Sequence, residues 1–193
     1  DGINIRVNYQ GATGYGGGPG GFGGRGGRGP GGYPGTTGSG NYMLTINGGS
    51  IVVDAGGDGI DSNGSVTMTG GQIIVNGPVF NMNSAVDYDG SFTITGGVLI
   101  AAGSAGMAQA PGMYSSQNSL MVNFSSAIEA GTIVSIQSET GENIVTFKPS
   151  KTYQSFVFSS PDLESNGVYK VYTGGSAKGD VKYGLYTGYT PGN

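Results

Sequence analysis

The sequence contains neither cysteine nor histidine. Their absence removes disulfides, thiol nucleophiles, the usual zinc ligands and every catalytic triad that needs an imidazole. Charge is also scarce: 10% of residues are Asp, Glu, Lys or Arg, and the formal net charge is −4. An acidic chain of this kind repels nucleic acid and anionic membrane surfaces. No apolar run approaches the ~20 residues needed to cross a bilayer, so no membrane insertion is expected. The chain begins with Asp1 and not Met, which reads as a processed or trimmed product.

Glycine, by contrast, supplies 42 of the 193 residues. That abundance points to repeats, turns or low complexity, and three segments do align. They are "LTINGGSIVVDAG" from Leu44, "VTMTGGQIIVNGP" from Val66 and "FTITGGVLIAAGS" from Phe92. Each reads as a short β-branched strand, a glycine corner, a second strand and a polar turn, and none carries a helical period. A unit this small cannot bury its apolar side alone, so units must stack. The expected fold is all-β: a right-handed parallel β-helix (β-solenoid) with apolar ladders Leu44/Val66/Phe92, Ile46/Met68/Ile94 and Ile51/Ile73/Leu99. Residues 1–112 would form its rungs, and residues 113–193 the final rung or rungs, an antiparallel β-hairpin-rich cap and a tail.

The same alignment stacks acidic residues. Asp61 falls over Asp87, Asn63 over Asp89 and Asp54 over Asn76, with Asp58 opening the turn; "DGIN" at Asp1 to Asn4 repeats Asp58 to Asp61 and would set Asn4 beside Asp61. Adjacent rungs lie about 4.8 Å apart, a distance at which two carboxylates repel by ~1 kcal/mol in water and ~3.5 kcal/mol at an effective dielectric near 20. Asp and Asn also favour β-turns for local reasons. Stacked pairs nevertheless suggest a cation between rungs, and calcium suits an all-oxygen donor set. The expected metal ligands are Asp54, Asp58, Asp61, Asn63, Asp87 and Asp89.

Residues 11–40 form a glycine-rich inserted loop that replaces a tight turn. It carries Arg25 and Arg28 among Tyr15, Phe22 and Tyr33, a composition suited to a flexible surface loop or to contact with a ligand or a neighbouring subunit. Two arginines on an acidic chain are little support for RNA binding. In the second half, Thr132 to Gln137 and Asn143 to Phe147 read as a hairpin around Gly141. "YQSFVFSS" and "VYKVYTGG" read as further strands. Tyr169, Tyr172, Tyr183, Tyr186 and Tyr189 are candidates for stacking on sugar rings or for half-buried packing.

The motifs "GGDGIDSNG…TMTGG", "AVDYDGSFTITGG" and "SSQNS" together resemble a secreted, calcium-dependent carbohydrate-binding β-helix family of clostridia and related bacteria, with a pectate-lyase-like fold. The resemblance runs from Asp1 to about Ser176, with the glycine-rich insert as a variable loop. It implies an extracellular or cell-surface location, several calcium ions held by Asp58, Asp61, Asp87 and Asp89, and binding to cell-wall polysaccharide, an acidic glycan or cellulose. A pectate lyase uses an arginine or lysine base beside calcium, and the repeats that carry the Asp columns contain no basic residue. The expected function is therefore binding without catalysis. The alternative is a structural subunit of an extracellular filament, a homopolymer whose copies stack head to tail with the insert bracing neighbours.

Overall fold

The computed structural model describes residues 3–6 and 42–192, and among them the backbone is strand and turn throughout. The glycine corners are where each repeat bends. Gly49, Gly71 and Gly97 have φ of 83°, 89° and 94°, a left-handed conformation that a residue with a Cβ adopts only at a cost.

In chain order the first nine strands are β1 (Ile3–Arg6), β2 (Met43–Ile46), β3 (Ser50–Asp54), β4 (Ile60–Ser62), β5 (Ser65–Met68), β6 (Gln72–Asn76), β7 (Val86–Tyr88), β8 (Phe92–Ile94) and β9 (Val98–Gly103). The second half adds β10 (Ser119–Ile128), β11 (Val134–Ser138), β12 (Asn143–Phe147), β13 (Tyr153–Ser159), β14 (Val168–Thr173), β15 (Ser176–Lys178), β16 (Leu185–Tyr186) and β17 (Gly188–Thr190). Strands β2-β5-β8 form one parallel sheet and β4-β7 another. A mixed five-stranded sheet runs β10-β13-β9-β6-β3, and an antiparallel one runs β1-β14-β11-β12-β16; β15 and β17 make a small antiparallel pair.

The repeats pair in the expected register: Leu44↔Val66↔Phe92, Ile46↔Met68↔Ile94 and Ile51↔Ile73↔Leu99 are aligned partners. The architecture as a whole is nevertheless not the expected right-handed parallel β-helix with a cap. It is an all-β assembly of separate sheets of mixed orientation, layered in the manner of a sandwich. Parallel pairing ends at β9, where β13 joins antiparallel and β10 follows antiparallel on β13. The strand at Asn4 also departs from the expected repeat. Asn4 pairs with Lys170 in the antiparallel sheet and is not stacked on Asp61.

The reason lies in the central mixed sheet, which is apolar on both faces. Along β6, β9 and β13, alternate side chains enter different cores, as the two-residue period of a strand requires. Ile73, Val75, Leu99, Ala101 and Val157 pack with Val66, Met68, Phe92 and Ile94 of the parallel sheet. Ile74, Ile100, Ala102, Phe156 and Phe158 pack instead with Val134, Ile136, Phe147 and Val171 of the antiparallel sheet. A sheet buried on both faces reads as continuous apolar runs, here "IIV", "LIAA" and "FVF". Such runs demand a layer on each side, which a single solenoid lumen does not provide.

Ile73 and Ile74 are both fully buried but face different cores. Each substitution to alanine should cost about 2–5 kcal/mol in urea unfolding. Because the two side chains share no core, the double variant should lose the sum of the two to within roughly 0.5 kcal/mol. A large non-additive remainder would mean that the cores are continuous.

Candidate functional site

The acidic residues collect where β4 runs beside β7. Ile60 and Val86 are buried, so their in-register neighbours Asp61 and Asp87 turn outward. The preceding Asp58-Gly59 step places the chain hard against the next repeat. A Cβ on Gly59 would clash with the carbonyl oxygen of Ala85, which explains why glycine follows this aspartate. Beyond the pair the ladder continues through Asp89 N to Ser62 O (3.0 Å) and Gly90 N to Gly64 O (2.8 Å), so the turn bearing Asn63 runs beside Asp89. Asp58 spends one carboxylate oxygen on the backbone N–H of Ser84, at 2.6 Å.

The electrostatic result is visible at Asp87. Its carboxyl is pushed above the ordinary aspartate value by burial first, and then by repulsion from Asp58, Asp61 and Asp89. These four therefore share one local field. Among the described residues, however, no group of three or more acidic side chains is placed to hold a metal ion. Among the described residues the in-register acidic pair here is Asp61/Asp87, with the side-chain oxygens of Ser62 and Asn63 in the cleft beside Asp61.

Asp54 belongs to a different arrangement. It stacks in register on Asn76, as expected, but its carboxylate is ion-paired with Lys151. The Lys151 ammonium also donates to the carbonyl of Ala55 at 2.6 Å, and the next column member, Asn76, accepts from the Ser150 N–H at 2.8 Å. A lysine from the second half thus supplies the positive charge at this column. Nothing in the spacing of the repeats signals it, since Lys151 lies 96 residues from Ala55.

An open cleft of about 470 Å³ adjoins the acidic pair, lined by Tyr42, Met43, Leu44, Asp61, Ser62 and Asn63. Tyr42 is 57% exposed and lines this cleft. Sequence reasoning missed this residue, although a signal existed. Met43 pairs with Ser65, which sets Tyr42 where the next two repeats have Gly64 and Gly90. A tyrosine at a turn glycine is a departure from the alignment.

The tyrosines of the second half are placed otherwise. Tyr169 is 3% exposed and unavailable for stacking on a sugar, and its hydroxyl accepts from the Glu164 N–H at 2.6 Å. Tyr172 and Tyr189 lie against each other, ring centres 5.8 Å apart. Tyr183 is exposed and carries Lys182 over its ring, at 5.4 Å; Tyr186 is half-buried. The expected contact residues Tyr15, Phe22, Arg25, Arg28 and Tyr33 lie outside the described residues.

A family model described as "Carbohydrate-binding domain-containing protein" matches residues 36–171, well over half of the chain and inclusive of every cleft residue. No curated protein and no solved structure matches the chain.

Asp87 binds its proton more tightly folded than unfolded. Its contribution to stability is therefore fully present below the ordinary value of 3.8 and is lost as pH rises through the raised one. Asp87→Asn should raise the neutral-pH melting temperature by about one to three degrees, what a solvent-screened repulsion of under ~1 kcal/mol would return. The gain should vanish as the pH is lowered past 3.8. A gain that persisted unchanged in acid would have another origin.

Proposed function

Because the chain belongs to the carbohydrate-binding domain-containing protein family, we propose that it binds cell-wall polysaccharide, without catalysis, in the cleft beside Asp61. The observation that carries this reading is the joining of three kinds of group at one open site. Tyr42 offers an aromatic face for a pyranose ring. Asn63 offers amide hydrogen bonds. The Asp61/Asp87 pair offers two like charges that a cation would relieve.

The donor set fits calcium as an ion shared with the ligand, and not as a closed structural site. Calcium takes six to eight oxygens, and among the described residues no three acidic side chains converge. A uronate polymer brings carboxylates of its own and would complete the shell from the other side. Asp58 has one oxygen engaged by Ser84 and Asp89 stands on the adjoining turn, so both contribute through the field and only secondarily as ligands. Asp54, ion-paired with Lys151, lies outside this set. No lysine or arginine lines the cleft, so the base that a lyase requires is missing among its described residues. A cell-wall ligand implies a secreted protein acting at the cell surface or outside the cell.

The test is retention on immobilised polygalacturonate. The protein should be retained in calcium and released by a chelator. Asp61→Ser with Asp87→Ser should abolish the calcium-dependent part, and Tyr42→Ala should weaken binding by roughly one to two orders of magnitude, as loss of a stacked ring does. Calcium alone should raise the melting temperature little, and calcium with oligogalacturonate considerably more. Retention unaffected by chelator or by the double substitution would sink the reading.

A further inference from the structure

Asparagine followed by glycine is a chemically labile step, because glycine has no side chain to hold its amide nitrogen away from the neighbouring carboxamide. The sequence contains this step at Asn47, Asn63, Asn76 and Asn166. The fold protects two of them. Gly77 donates its N–H to Ala102 O at 2.8 Å, and Asn76 is buried with its Oδ1 accepting from the Ser150 N–H. Gly167 donates its N–H to Glu164 O at 3.1 Å. An amide held in this way is a poor nucleophile, since it must break its hydrogen bond and lose the proton before it can attack.

Asn63 is placed otherwise. It is exposed in the cleft beside Asp61, and the Gly64 N–H has no backbone acceptor among the described residues. The matching step of the next repeat shows the contrast, for there Gly90 donates to Gly64 O at 2.8 Å. Glycine is obligatory at position 64, where a Cβ would strike the Tyr42 carbonyl. The next repeat also reads Asp89-Gly90 where this one reads Asn63-Gly64, so an acid is compatible with the turn. Asn47 is exposed too, but its carboxamide accepts from Thr69 Oγ1 at 2.9 Å and it stands outside the cleft.

We propose that Asn63 is a self-modifying residue, whose spontaneous conversion to a carboxylate adds an acid to the cleft. The Gly64 nitrogen gives its proton to water and attacks Asn63 Cγ. A new C–N bond forms, the bond from Cγ to Nδ2 breaks, and the side-chain nitrogen takes up a proton and leaves as ammonia. Water then opens the five-membered imide at either carbonyl, giving aspartate or its β-linked isomer. Each product carries one new carboxylate, and water is the only co-reactant. The turn then holds two acids, Asp61 and the converted residue, beside Asp87 and Asp89 of the next repeat. The consequence rests on the calcium-bridged reading of the cleft. Fresh protein leaves most of the calcium shell to the glycan, whereas converted protein supplies more of it and binds the ion more tightly.

The experiment is to age the protein in mildly alkaline buffer, where the Gly64 amide loses its proton more readily, and to follow each Asn-Gly peptide by mass spectrometry. The Asn63 peptide should pass from amide to acid while the Asn76 and Asn166 peptides stay intact. Asn63→Gln should stop the conversion at this position, because the longer side chain closes only a less favourable six-membered ring. Calcium alone, titrated calorimetrically, should bind roughly tenfold more tightly to Asn63→Asp than to fresh wild type, the effect of one more carboxylate near a divalent ion in a solvated site. Aged wild type should shift in the same direction, and aged Asn63→Gln should not shift. An Asn63 peptide that stays an amide while the Asn47 peptide converts overturns the inference, and so does conversion without tighter calcium binding. Neither measurement uses a glycan. Protein that ages as described yet ignores polygalacturonate would remove the polysaccharide reading and leave this inference standing.

Discussion

The structure depends on a central sheet with apolar side chains on both faces. Strands β6, β9 and β13 send alternate residues to opposite sides, so neither face can be left to water. One face is covered by the parallel sheet β2-β5-β8 and the other by the antiparallel strands of the second half. The outward-facing side chains follow from that arrangement. The acidic pair points outward because Ile60 and Val86 are committed to one core, and Thr67 and Thr93 point outward because Val66, Met68, Phe92 and Ile94 are committed to the same core.

How much of this was legible depends on the range of the interaction. The ladders and the Asp61/Asp87 pairing followed from a glycine corner and a two-residue period, both local. The hairpin around Gly141 was equally local: its turn glycine has φ of 91°, and β11 and β12 pair as the spacing implies. What failed was the step from repeat to whole fold. The expected ladders use only Ile73 of "IIV", and "FVF" reads as a strand of the cap, whereas unbroken apolar runs are the mark of strands buried on both sides. The antiparallel docking of β13 on β9 joins residues more than fifty positions apart, and no periodicity announces such a partner. "DGIN" matched a repeat in letters while its strand paired elsewhere, with β14; four residues carry too little pattern to fix a neighbour.

The candidate site divides in the same way. Its carboxylates could be placed from the alignment, and so could their mutual repulsion, which adds to burial in raising the affinity of Asp87 for its proton. Tyr42 escapes an alignment that registers what the repeats share, because at this position one of them differs. Lys151 was missed because its partner Asp54 lies in the other half of the chain.

That last contact bears on the order in which the protein can be assembled. The outermost strand of the central sheet ends at Asp54, and the loop after it is clasped by an amine 96 residues downstream, while Ser150 seizes Asn76 one strand further in. During synthesis the three repeats can align with one another early, but one side of their shared sheet stays bare until β13 and its neighbours emerge. The clasp waits as well, since Ser150 and Lys151 emerge just ahead of β13. Closing it is then a late, long-range event, and a chain cut short before β10 would leave a broad greasy flank and an unlatched β3, a species prone to aggregate.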